Sequence, residues 1–380
     1  MSGNIPLSDL VSHVNAIRGF INSFVVGREV ELDVLLYALV SREHAILISE
    51  PGTGKSMLIR LLAQIFDVPY FEYQIHPRTT LSEIFGVPNI KLLREQGILK
   101  FNTKGKLPEA KLAFLDEIFK SSSALRNALL TILNERIFFD GTQNIKCPLW
   151  TCLSASNEVP KNKRDAFWDR ITLRVFSSGL PKEKWKLYLR KYWDIHQPGF
   201  EKKIPKYSFS VIEQLHSILY SVNLENIRDK LVEIYVSLER ENIWFSNRRM
   251  GRAQKVIASS AILDGRNVAS FEDLFVLKYI IPNNAKEVEV VSTILEDLIL
   301  PDAKIRREVS EIKKQVESIE LSVDNIKDTL AILGRIESKL REYRNSQTLT
   351  QKTIEIIEEA LEIIKRKKEE FAEKFIRGEL

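Results

Sequence analysis

The sequence has few of the residues that stabilise small folds through disulfide bonds or metal sites. Its 380 residues include only two cysteines, Cys147 and Cys152, and five histidines. No further Cys or His stands at metal-ligand spacing beside that pair, so the composition disfavours a disulfide framework and a structural zinc site. With 44% hydrophobic residues, the chain should instead build two or three ordinary hydrophobic cores. This cysteine usage is typical of a cytoplasmic protein, which is the location we expect.

Long apolar runs and a one-sided charge are also absent from the sequence. No apolar run approaches the roughly 18 residues of a membrane span. The first 24 residues carry apolar positions at helical spacing beside a polar face, so we expect neither a signal peptide nor a membrane anchor. The net charge is +5, and residues 301–380 hold 17 Lys plus Arg against 17 Asp plus Glu. The chain therefore has no basic tail for nonspecific binding of nucleic acid.

The first half of the chain has the pattern of an α/β fold. From Ala45 to about Val175, short apolar runs rich in strand-forming residues alternate with helical stretches, which predicts a parallel sheet wrapped by helices. Two hairpin-like segments interrupt this pattern at 97–110 and 136–150, the second with a turn at Asp140-Gly141. We interpret both segments as insertions on the core.

The second half has helical periodicity throughout. Segments between Pro181 and Pro282 predict an all-helical domain, in which Gly265 is a helix stop. We therefore place the domains at 1–180, 181–282 and 283–380. The last of these carries a heptad seam formed by Ile305, Val309, Ile312, Val316, Ile319, Val323, Ile326, Leu330 and Leu333.

The seam is interrupted at RNSQTLTQ, residues 344–351, and then resumes through Ile354, Ile357, Leu361, Ile364, Phe371 and Phe375. A short polar break between two apolar-striped helices predicts a C-terminal antiparallel helical hairpin. The alternative is a straight coiled coil that dimerises through its heptads.

The segment SEPGTGKS at residues 49–56 lies between the apolar run AILI and a helical stretch. The P-loop pattern asks for glycine at the first position, where this chain has Ser49, but Gly52 and Gly54 allow the backbone to turn its N–H groups inward. Lys55 can reach β- and γ-phosphates, and Ser56 can ligate Mg²⁺ at the start of the helix. A glycine-rich strand-to-helix turn without ligand is the structural alternative.

Two further short groups of polar residues follow apolar strands, and together with SEPGTGKS we call these groups the polar stations. KLAFLDEIF ends its apolar run at Asp116 and Glu117, which suits water-mediated binding of Mg²⁺ and activation of an attacking water. TCLSASNEVP ends at Asn157, whose amide can orient that water. Each station alone is also compatible with a solvated strand end or a simple turn.

Together the stations resemble those of AAA+ ATPases, and further blocks narrow the match. RTTLSEIFGVPNI, GKLPEAKLAFLDEI, LLTILNERIFFDG, SASNEVP and AFWDRITLRV resemble the MoxR family, most of all its RavA-like branch, between residues 25 and 281. The resemblance implies an AAA+ P-loop NTPase core with inserted hairpins, followed by a helical lid. RavA-like members carry a small β-rich insert in the terminal helices that this sequence lacks, so partner contacts of that insert do not transfer.

The resemblance also implies roles for residues of this sequence. Ser56 and Asp116 would hold Mg²⁺, Glu117 would be the general base, and Asn157 would be sensor 1. ATP would be bound by Asp116, by the phosphate loop and by the segment that borders the adenine. Besides Asp116, these residues are Val26, Gly27, Glu50, Pro51, Gly52, Thr53, Gly54, Lys55, Ser56 and Met57.

Two arginines complete the implied site. Arg170 matches the arginine finger that reaches a neighbour's γ-phosphate, with Arg164 and Arg174 as competing positions. Arg248 matches sensor 2, with Arg249 one residue away as its competitor. Guanidinium groups suit this work because they stay charged and fork onto phosphate oxygens. Gln74 or His76 could hold Glu117 in an idle rotamer, as a polar residue does in related AAA+ proteins, but the interpretation that we favour is a Gln or His whose hydrogen bonds are satisfied within its own loop.

The function implied is that of a hexameric ATPase that uses ATP and Mg²⁺ to remodel a protein client, with a von Willebrand factor A domain protein as a possible partner. The alternative is a nucleic-acid motor or loader, because the first inserted segment and its flank carry Lys100, Lys104, Lys106 and Lys111. The absence of a DNA-binding module and of interleaved aromatic and basic residues disfavours that alternative.

Overall fold

The structure is a computed structural model that describes residues 5–160, 162–300, 302–318, 326–345 and 349–376. It divides into two compact units, Met1–Ser292 and Thr293–Leu380. The strands are β1 (Ala45–Ile48), β2 (Tyr70–Gln74), β3 (Val87–Pro88), β4 (Phe101–Asn102), β5 (Leu112–Asp116), β6 (Ile137–Phe139), β7 (Asn144–Lys146), β8 (Thr151–Ser156) and β9 (Leu173–Phe176).

The α-helices follow the same chain order. They are α1 (Leu7–Phe24), α2 (Glu29–Ser41), α3 (Lys55–Ile65), α4 (Leu81–Phe85), α5 (Ile90–Gln96), α6 (Ser123–Glu135), α7 (Ala166–Arg170), α8 (Trp185–Ile195), α9 (Ser210–Ile218), α10 (Arg228–Arg240), α11 (Asn247–Leu263), α12 (Ala285–Ile299), α13 (Ala303–Ser318), α14 (Ile326–Arg344) and α15 (Gln351–Ile376).

The first unit is organised around a five-stranded parallel sheet with strand order β2-β5-β8-β1-β9. The two central strands β1 and β8 are buried along their whole length, as expected for parallel strands covered by helices on both faces. Ile46 of β1 belongs to the same hydrophobic cluster as Leu129 of α6 and Trp168 of α7. The predicted parallel α/β core is confirmed.

Both insertions are present, and one differs from the prediction. The second is the antiparallel pair β6–β7, with the Asp140 carboxylate accepting hydrogen bonds from Thr142 and Gln143 N–H in the turn. The first was predicted as a hairpin within 97–110, but this is wrong. Its strands are β3 and β4, with helix α5 between them, because Pro88 pairs with Phe101 across the intervening segment.

The segment between Pro181 and Pro282 is helical, and it consists mainly of α8 to α11 followed by a 3₁₀ stretch at Phe271–Tyr279. Gly265 follows α11 with a φ of +75°, which is the left-handed conformation expected of a helix stop. The predicted helical lid is confirmed. Among the described residues, no helix is both long enough and apolar enough to cross a bilayer.

In the described part of the second unit, which begins within α12, the helices α13, α14 and α15 pack together. The sequence predicted a hairpin of two helices, and the reversal between α13 and α14 was not predicted. Glu308 of α13 accepts hydrogen bonds from Lys339 and Tyr343 of α14. One straight helix would separate residues that are 35 positions apart by roughly 50 Å. Helices α13 and α14 are therefore antiparallel.

Helix α15 packs on both of its neighbours in this bundle. Lys313 of α13 contacts Glu359 at 2.8 Å, and Arg344 of α14 contacts Glu358 at 2.7 Å. The heptad positions Val309, Ile312, Val316 and Leu333 lie in the core of the bundle with Ile357 and Ile364. This burial disfavours a straight coil that dimerises through the same residues. Ile319, Val323 and the side chains of Ile326, Phe371 and Phe375 lie outside the described residues.

Candidate functional site

Three neighbouring strands deliver the predicted polar stations to one edge of the sheet. Strands β5, β8 and β1 are adjacent, and their carboxyl ends lead into Glu117, Asn157 and Ser49 respectively. Because the strands are parallel and in register, these ends meet at the same edge. The three stations, separated by up to about a hundred residues in sequence, therefore form one site.

The phosphate loop has the backbone that its glycines predict. Gly52 and Gly54 adopt φ values of +76° and +83°, where a side chain would strain the backbone. Ser49 is not among the residues with positive φ, so the first position does not require glycine. Its hydroxyl lies 2.5 Å from the Thr53 hydroxyl, which ties the two ends of the loop together. The departure from the P-loop pattern is thus compatible with the loop conformation.

Lys55 begins helix α3 and turns its ammonium back over the loop. Its Nζ donates to the carbonyl oxygens of Ser49 at 2.6 Å and Glu50 at 3.0 Å, and to Oδ1 of Asn157 at 2.8 Å. Burial lowers the pKa of the Lys55 ammonium, while the nearby carboxylates of Glu117 and Asp116 oppose this shift. The cation is thus held at the mouth of the loop.

The remaining loop residues surround this cation. Glu50 and Pro51 are exposed at the tip of the loop, and Met57 is half-buried in the first turn of α3. Their backbone positions allow the N–H groups at the helix start to face an anion.

Ser56 and Asp116 form the oxygen-rich part of the site. Ser56 Oγ donates to Oδ2 of Asp116 at 3.0 Å, and Asp116 Oδ1 accepts the Glu117 N–H at 2.9 Å. A hydroxyl and a carboxylate beside a phosphate loop are the hard oxygen donors that Mg²⁺ prefers. The residues present therefore fit a magnesium ion, which Ser56 and Asp116 would hold.

Glu117 is the residue under the greatest constraint. It adopts φ +54° and is only 8% exposed. Its Oε1 accepts a hydrogen bond from Asn157 Nδ2 at 2.5 Å, whereas its buried Oε2 has no hydrogen-bond partner in the described chain and lies 3.6 Å from Lys120 Nζ. A buried carboxylate oxygen left without a donor suits a carboxylate that awaits a water molecule.

The residue that holds Glu117 in the structure is neither of the two considered from the sequence. Gln74 is exposed, and the ring of His76 accepts a hydrogen bond from the Arg78 N–H of its own loop. The contact to Glu117 is made by Asn157, so neither Gln74 nor His76 holds Glu117, and His76 is bonded within its own loop as the favoured alternative predicted. Strands β2 and β8 both flank β5, but the His76 ring is bonded within its own loop whereas the Asn157 amide reaches Glu117.

An apolar cavity of about 330 Å³ adjoins the phosphate loop at Gly52 and Thr53. Val26 lines it, and Gly27 follows at φ +72° with Leu180 so close that an added Cβ would lie 2.4 Å from its Cδ1. Arg28 Nε donates to the Thr53 carbonyl at 3.0 Å and so ties this segment to the loop. The cavity is where an adenine ring would fit beside the phosphates.

Sequence reasoning missed the opposite wall of this cavity. That wall is formed by Leu180, Trp185, Tyr188 and Leu189. Most of these residues lie on α8, which the sequence assigned to the helical domain rather than to the nucleotide site. The signal that was available is the aromatic density of WKLYLRKYW, combined with exposed fractions of 52% for Trp185 and 67% for Leu189.

Arg170 does not join this site within one chain. It ends α7, just before β9, and its carbonyl accepts a hydrogen bond from Arg252 Nη1 at 3.0 Å. Arg252 also lies 3.5 Å from Glu43, which immediately precedes β1. Since β1 spans about 13 Å from its amino to its carboxyl end, Arg170 lies at the amino edge of the sheet, opposite Lys55.

Arg248 lies beside Arg170. Its Nη1 contacts Asp169 Oδ2 at 3.3 Å, and its side chain is 46% exposed. Burial and then the neighbouring Arg248 cation lower the pKa of the Arg170 guanidinium. Both arginines predicted to touch phosphate are therefore together, at the edge away from the phosphate loop of their own chain.

The competing arginines occupy different environments. Arg174 is 1% exposed and lies over the Trp168 ring at 4.0 Å. Arg249 is fully buried and donates to the Ile281 carbonyl and to Asn283 Oδ1, both at 3.0 Å. Arg164 is exposed near the Trp244 ring. Burial leaves Arg174 and Arg249 with structural contacts, while Arg170, Arg248 and Arg164 remain able to meet another molecule.

Comparisons with known proteins agree with this geometry. Residues 12–217 match a family model described as the MoxR domain in MoxR-vWA-beta-propeller ternary systems, and residues 223–295 match an AAA lid domain. The uncharacterized protein MJ0079 of Methanocaldococcus jannaschii is 31% identical over 368 residues, which cover 93% of this chain and 96% of that protein.

More distant relatives extend the comparison. Chaperone MoxR1 of Mycobacterium tuberculosis is 22% identical over 162 residues, covering 40% of this chain and 42% of that protein. A solved structure from Cytophaga hutchinsonii, described as a presumed ATPase, superposes with a TM-score of 0.63 at 19% identity, over 76% of this chain and 95% of that one. The match of the MoxR model to more than half of the sequence, together with the lid and the sheet order, shows that this chain belongs to the MoxR family of AAA+ ATPases.

Proposed function

We propose that this chain hydrolyses ATP with Mg²⁺ and that hydrolysis is completed at an interface between copies of the chain. The observation that carries the proposal is the hydrogen-bonded series Lys55–Asn157–Glu117, which joins the phosphate loop to the carboxylate after β5. A cation for phosphate, an amide and a carboxylate for water thus lie within hydrogen-bond reach of one another at a single edge of the sheet.

Each residue has a distinct role in this proposal. Lys55 and the loop N–H groups, from Glu50 to Met57, bind the β- and γ-phosphates. Glu117 takes a proton from the attacking water, and Asn157 orients that water. When bound by Ser56 and Asp116, Mg²⁺ supplies positive charge against the charge that builds on the phosphate oxygens. Val26, Gly27 and the α8 wall would bind the adenine.

The arginines support action between subunits. Arg170 and Arg248 share Asp169 as a neighbour at the edge opposite Lys55, so neither reaches the γ-phosphate of its own chain. A neighbouring copy would place them there, with Arg170 as finger and Arg248 as sensor 2. A ring brings each copy's amino edge to the next copy's phosphate loop, and we propose the hexamer predicted from the sequence.

The cellular role is proposed from relatives. The matching family model is described in MoxR-vWA-beta-propeller systems, and one distant relative is named a chaperone. These names support a remodelling ATPase that has a von Willebrand factor A domain protein as its partner. Membership of the RavA-like branch and a cytoplasmic location remain predictions.

The nucleic-acid alternative gains no support from the first insertion and its flank. Lys111 pairs with Glu213 at 2.6 Å, and Lys106 donates to the Glu83 carbonyl at 3.0 Å. The same insertion exposes apolar side chains at Val87 and Ile90, with exposed fractions of 52% and 53%. A surface of this kind suits protein contacts better than a phosphate backbone.

Two substitutions test the proposed function. Lys55→Ala should weaken ATP binding severely, because it removes the phosphate cation, whereas Glu117→Gln should bind ATP but hydrolyse it at least about a hundredfold more slowly. Binding is measured by titration calorimetry and turnover by phosphate release. Lys202→Ala removes an exposed charge elsewhere and serves as the control. Unchanged ATP affinity in Lys55→Ala, or normal turnover in Glu117→Gln, would contradict the assignment.

A further inference from the structure

A second cavity, of about 350 Å³, lies at the amino edge of the sheet, away from the phosphate loop. Residues from the end of α2, the end of α6, strand β7 and helix α11 line it. Five of them are cationic, and they are Arg42, Arg136, Lys146, Arg252 and Lys255. The proposed ATPase function uses none of these five side chains to bind nucleotide.

The carboxylates of the cavity do not balance these cations. Glu43 lies on the floor, is 4% exposed, and pairs with both Lys255 and Arg252. Glu135, the other acidic lining residue, is exposed. Two carboxylates therefore face five cations, and the excess positive charge lies on the side of Arg42, Arg136 and Lys146.

Arg136 is held without a carboxylate partner among the described residues. Its Nε donates to the Leu149 carbonyl at 2.9 Å, and its Nη2 donates to the carbonyls of Trp150 at 3.2 Å and Arg42 at 3.3 Å. Its Nη1 contacts the Leu133 carbonyl and His44 Nε2. Burial and then repulsion from Arg42 lower the pKa of Arg136 to about 10. These contacts occupy the N–H groups of Arg136, so its side chain adds positive charge to the cavity rather than a free donor, and Glu43 offsets that charge only in part. Because the neighbouring Arg42 cation makes the charged form of Arg136 less stable, binding of an anion beside both side chains is favourable.

Arg42 faces the same space from the opposite wall. It is the residue after α2, at φ +56°, and its guanidinium lies 4.7 Å from the centre of the Trp150 ring. A cation stacked on an aromatic ring keeps its N–H groups in the plane of the guanidinium, available to an anion at its edge. Lys146, exposed on β7, adds a mobile ammonium at the rim.

We propose that this basic cavity binds a small phosphorylated molecule, with its phosphate oxygens between Arg42 and Lys146 and beside the charge of Arg136. The Arg42 guanidinium can bind two phosphate oxygens, and the Lys146 ammonium adds a third contact. The volume falls within the range of about 300–1,000 Å³ found for small-molecule sites, so it accommodates a phosphate together with the group that carries it. His216 and Tyr220, also on the lining, offer ring surface to that group.

Pyrophosphate is the probe for this site. The full chain carrying Lys55→Ala, which disables the phosphate loop, is titrated with pyrophosphate by calorimetry. In that background, Arg42→Gln with Lys146→Gln should weaken binding at least about tenfold, because two charged donors are lost. The matched control is Lys202→Ala with Lys203→Ala, which removes two exposed charges outside the cavity and should leave the affinity unchanged.

Several outcomes would overturn the proposal. One is equal pyrophosphate affinity in the cavity variant and in the control. Another is binding that occurs only when Lys55 is present, since the anion would then belong to the phosphate loop. Capture of a labelled single-stranded oligonucleotide without pyrophosphate binding would favour a nucleic-acid contact instead. If the double variant fails to fold, Lys146→Glu alone, on an exposed strand, should still reduce the affinity by reversing one charge.

Discussion

Asn157 lies between the cation of the phosphate loop and the carboxylate that follows β5. Its amide accepts from Lys55 through Oδ1 and donates to Glu117 through Nδ2, so one side chain fixes two functional groups. An incoming γ-phosphate would compete for Lys55, and this would free the amide to act on the attacking water. Asn157 is therefore placed to link phosphate binding to the position of the general base.

Replacement of Asn157 should separate these effects. Asn157→Ala should slow turnover by about a hundredfold, because Glu117 loses the donor that fixes it, while ATP affinity changes by less than about threefold. Phosphate release and calorimetry measure the two quantities. Glu158→Gln, at the exposed neighbouring position, serves as the control. A loss of ATP binding with unchanged turnover at saturation would contradict the role given to Asn157.

Arg248 and Arg249 are adjacent in sequence and differ in environment. Ser246 caps helix α11 by accepting the Arg249 N–H, and this start of the helix directs Arg249 into the core and Arg248 outward. The sequence predicts that one of the two reaches phosphate, and this stays a prediction. It could not choose between them, because the choice depends on helical phase relative to Asp169 and Asn283, which only tertiary packing fixes.

Stability measurements should distinguish the two arginines. Arg249→Ala should lower the free energy of unfolding by about 3 kcal/mol, because Asp169 and Asn283 lose a buried partner. Arg248→Ala should lower it by less than about 1 kcal/mol, since the lost ion pair is half exposed. Urea denaturation followed by circular dichroism gives both values. Equal losses would contradict the burial difference.

At the scale of elements, the turn between α1 and α2 lies beside the cavity proposed to bind adenine. Gly27 adopts φ +72° in this turn, and a Cβ there would push Leu180 toward the space that Val26 and Trp185 line. Gly97, after α5, has a similar φ of +68° but nothing within 4 Å of an added Cβ. The two glycines thus share the backbone requirement and differ in what surrounds them.

This difference provides a matched pair of variants. Both Gly27→Ala and Gly97→Ala should cost about 1 kcal/mol of unfolding free energy through backbone strain. Only Gly27→Ala should also weaken ATP binding, by at least about tenfold, because Leu180 moves into the cavity. Thermal unfolding and nucleotide titration measure the two effects. Equal nucleotide affinity in both variants would argue against an adenine ring at this place.

The elements also show what the sequence could and could not predict. The ends of β1, β5 and β8 were predictable because apolar runs and the polar residues after them are local patterns. The pairing of β3 with β4 was missed because two-residue strands carry no periodicity. The three-helix bundle was missed because a heptad seam predicts buried faces but not where a helix reverses. The role of α8 was missed because its contact with the phosphate loop is long-range.

At the scale of the whole molecule, the sheet separates the phosphate loop from the arginines. Lys55 lies beyond the carboxyl end of β1, and Arg170 lies before the amino end of β9, its parallel neighbour. The direction of the strands was predictable from the alternation of strands and helices. The position of Arg248 at this edge was not predictable, because it depends on how α11 packs against Asp169.

Mixed assemblies test action between subunits. Arg170→Ala and Lys55→Ala should each hydrolyse ATP poorly alone, yet a mixture should recover part of the activity at interfaces that join an intact loop to an intact arginine. Phosphate release is measured across mixing ratios, with mixed assembly confirmed by differently tagged chains. A mixture of Lys55→Ala with Glu117→Ala is the control, because both changes affect the same half of the site. No recovery in confirmed mixed assemblies would contradict a trans-acting Arg170.

The placement of loop and arginines on opposite edges of one sheet has a consequence for the isolated chain. If Arg170 and Arg248 act as proposed, a single copy binds the triphosphate through its own loop but lacks these two guanidinium groups at that loop. Dilution alone should therefore give a protein that binds ATP but hydrolyses it slowly. ATP would then be hydrolysed only where enough copies have assembled. The local concentration of the protein would thus control its activity, because the parallel strands place loop and arginines at opposite edges.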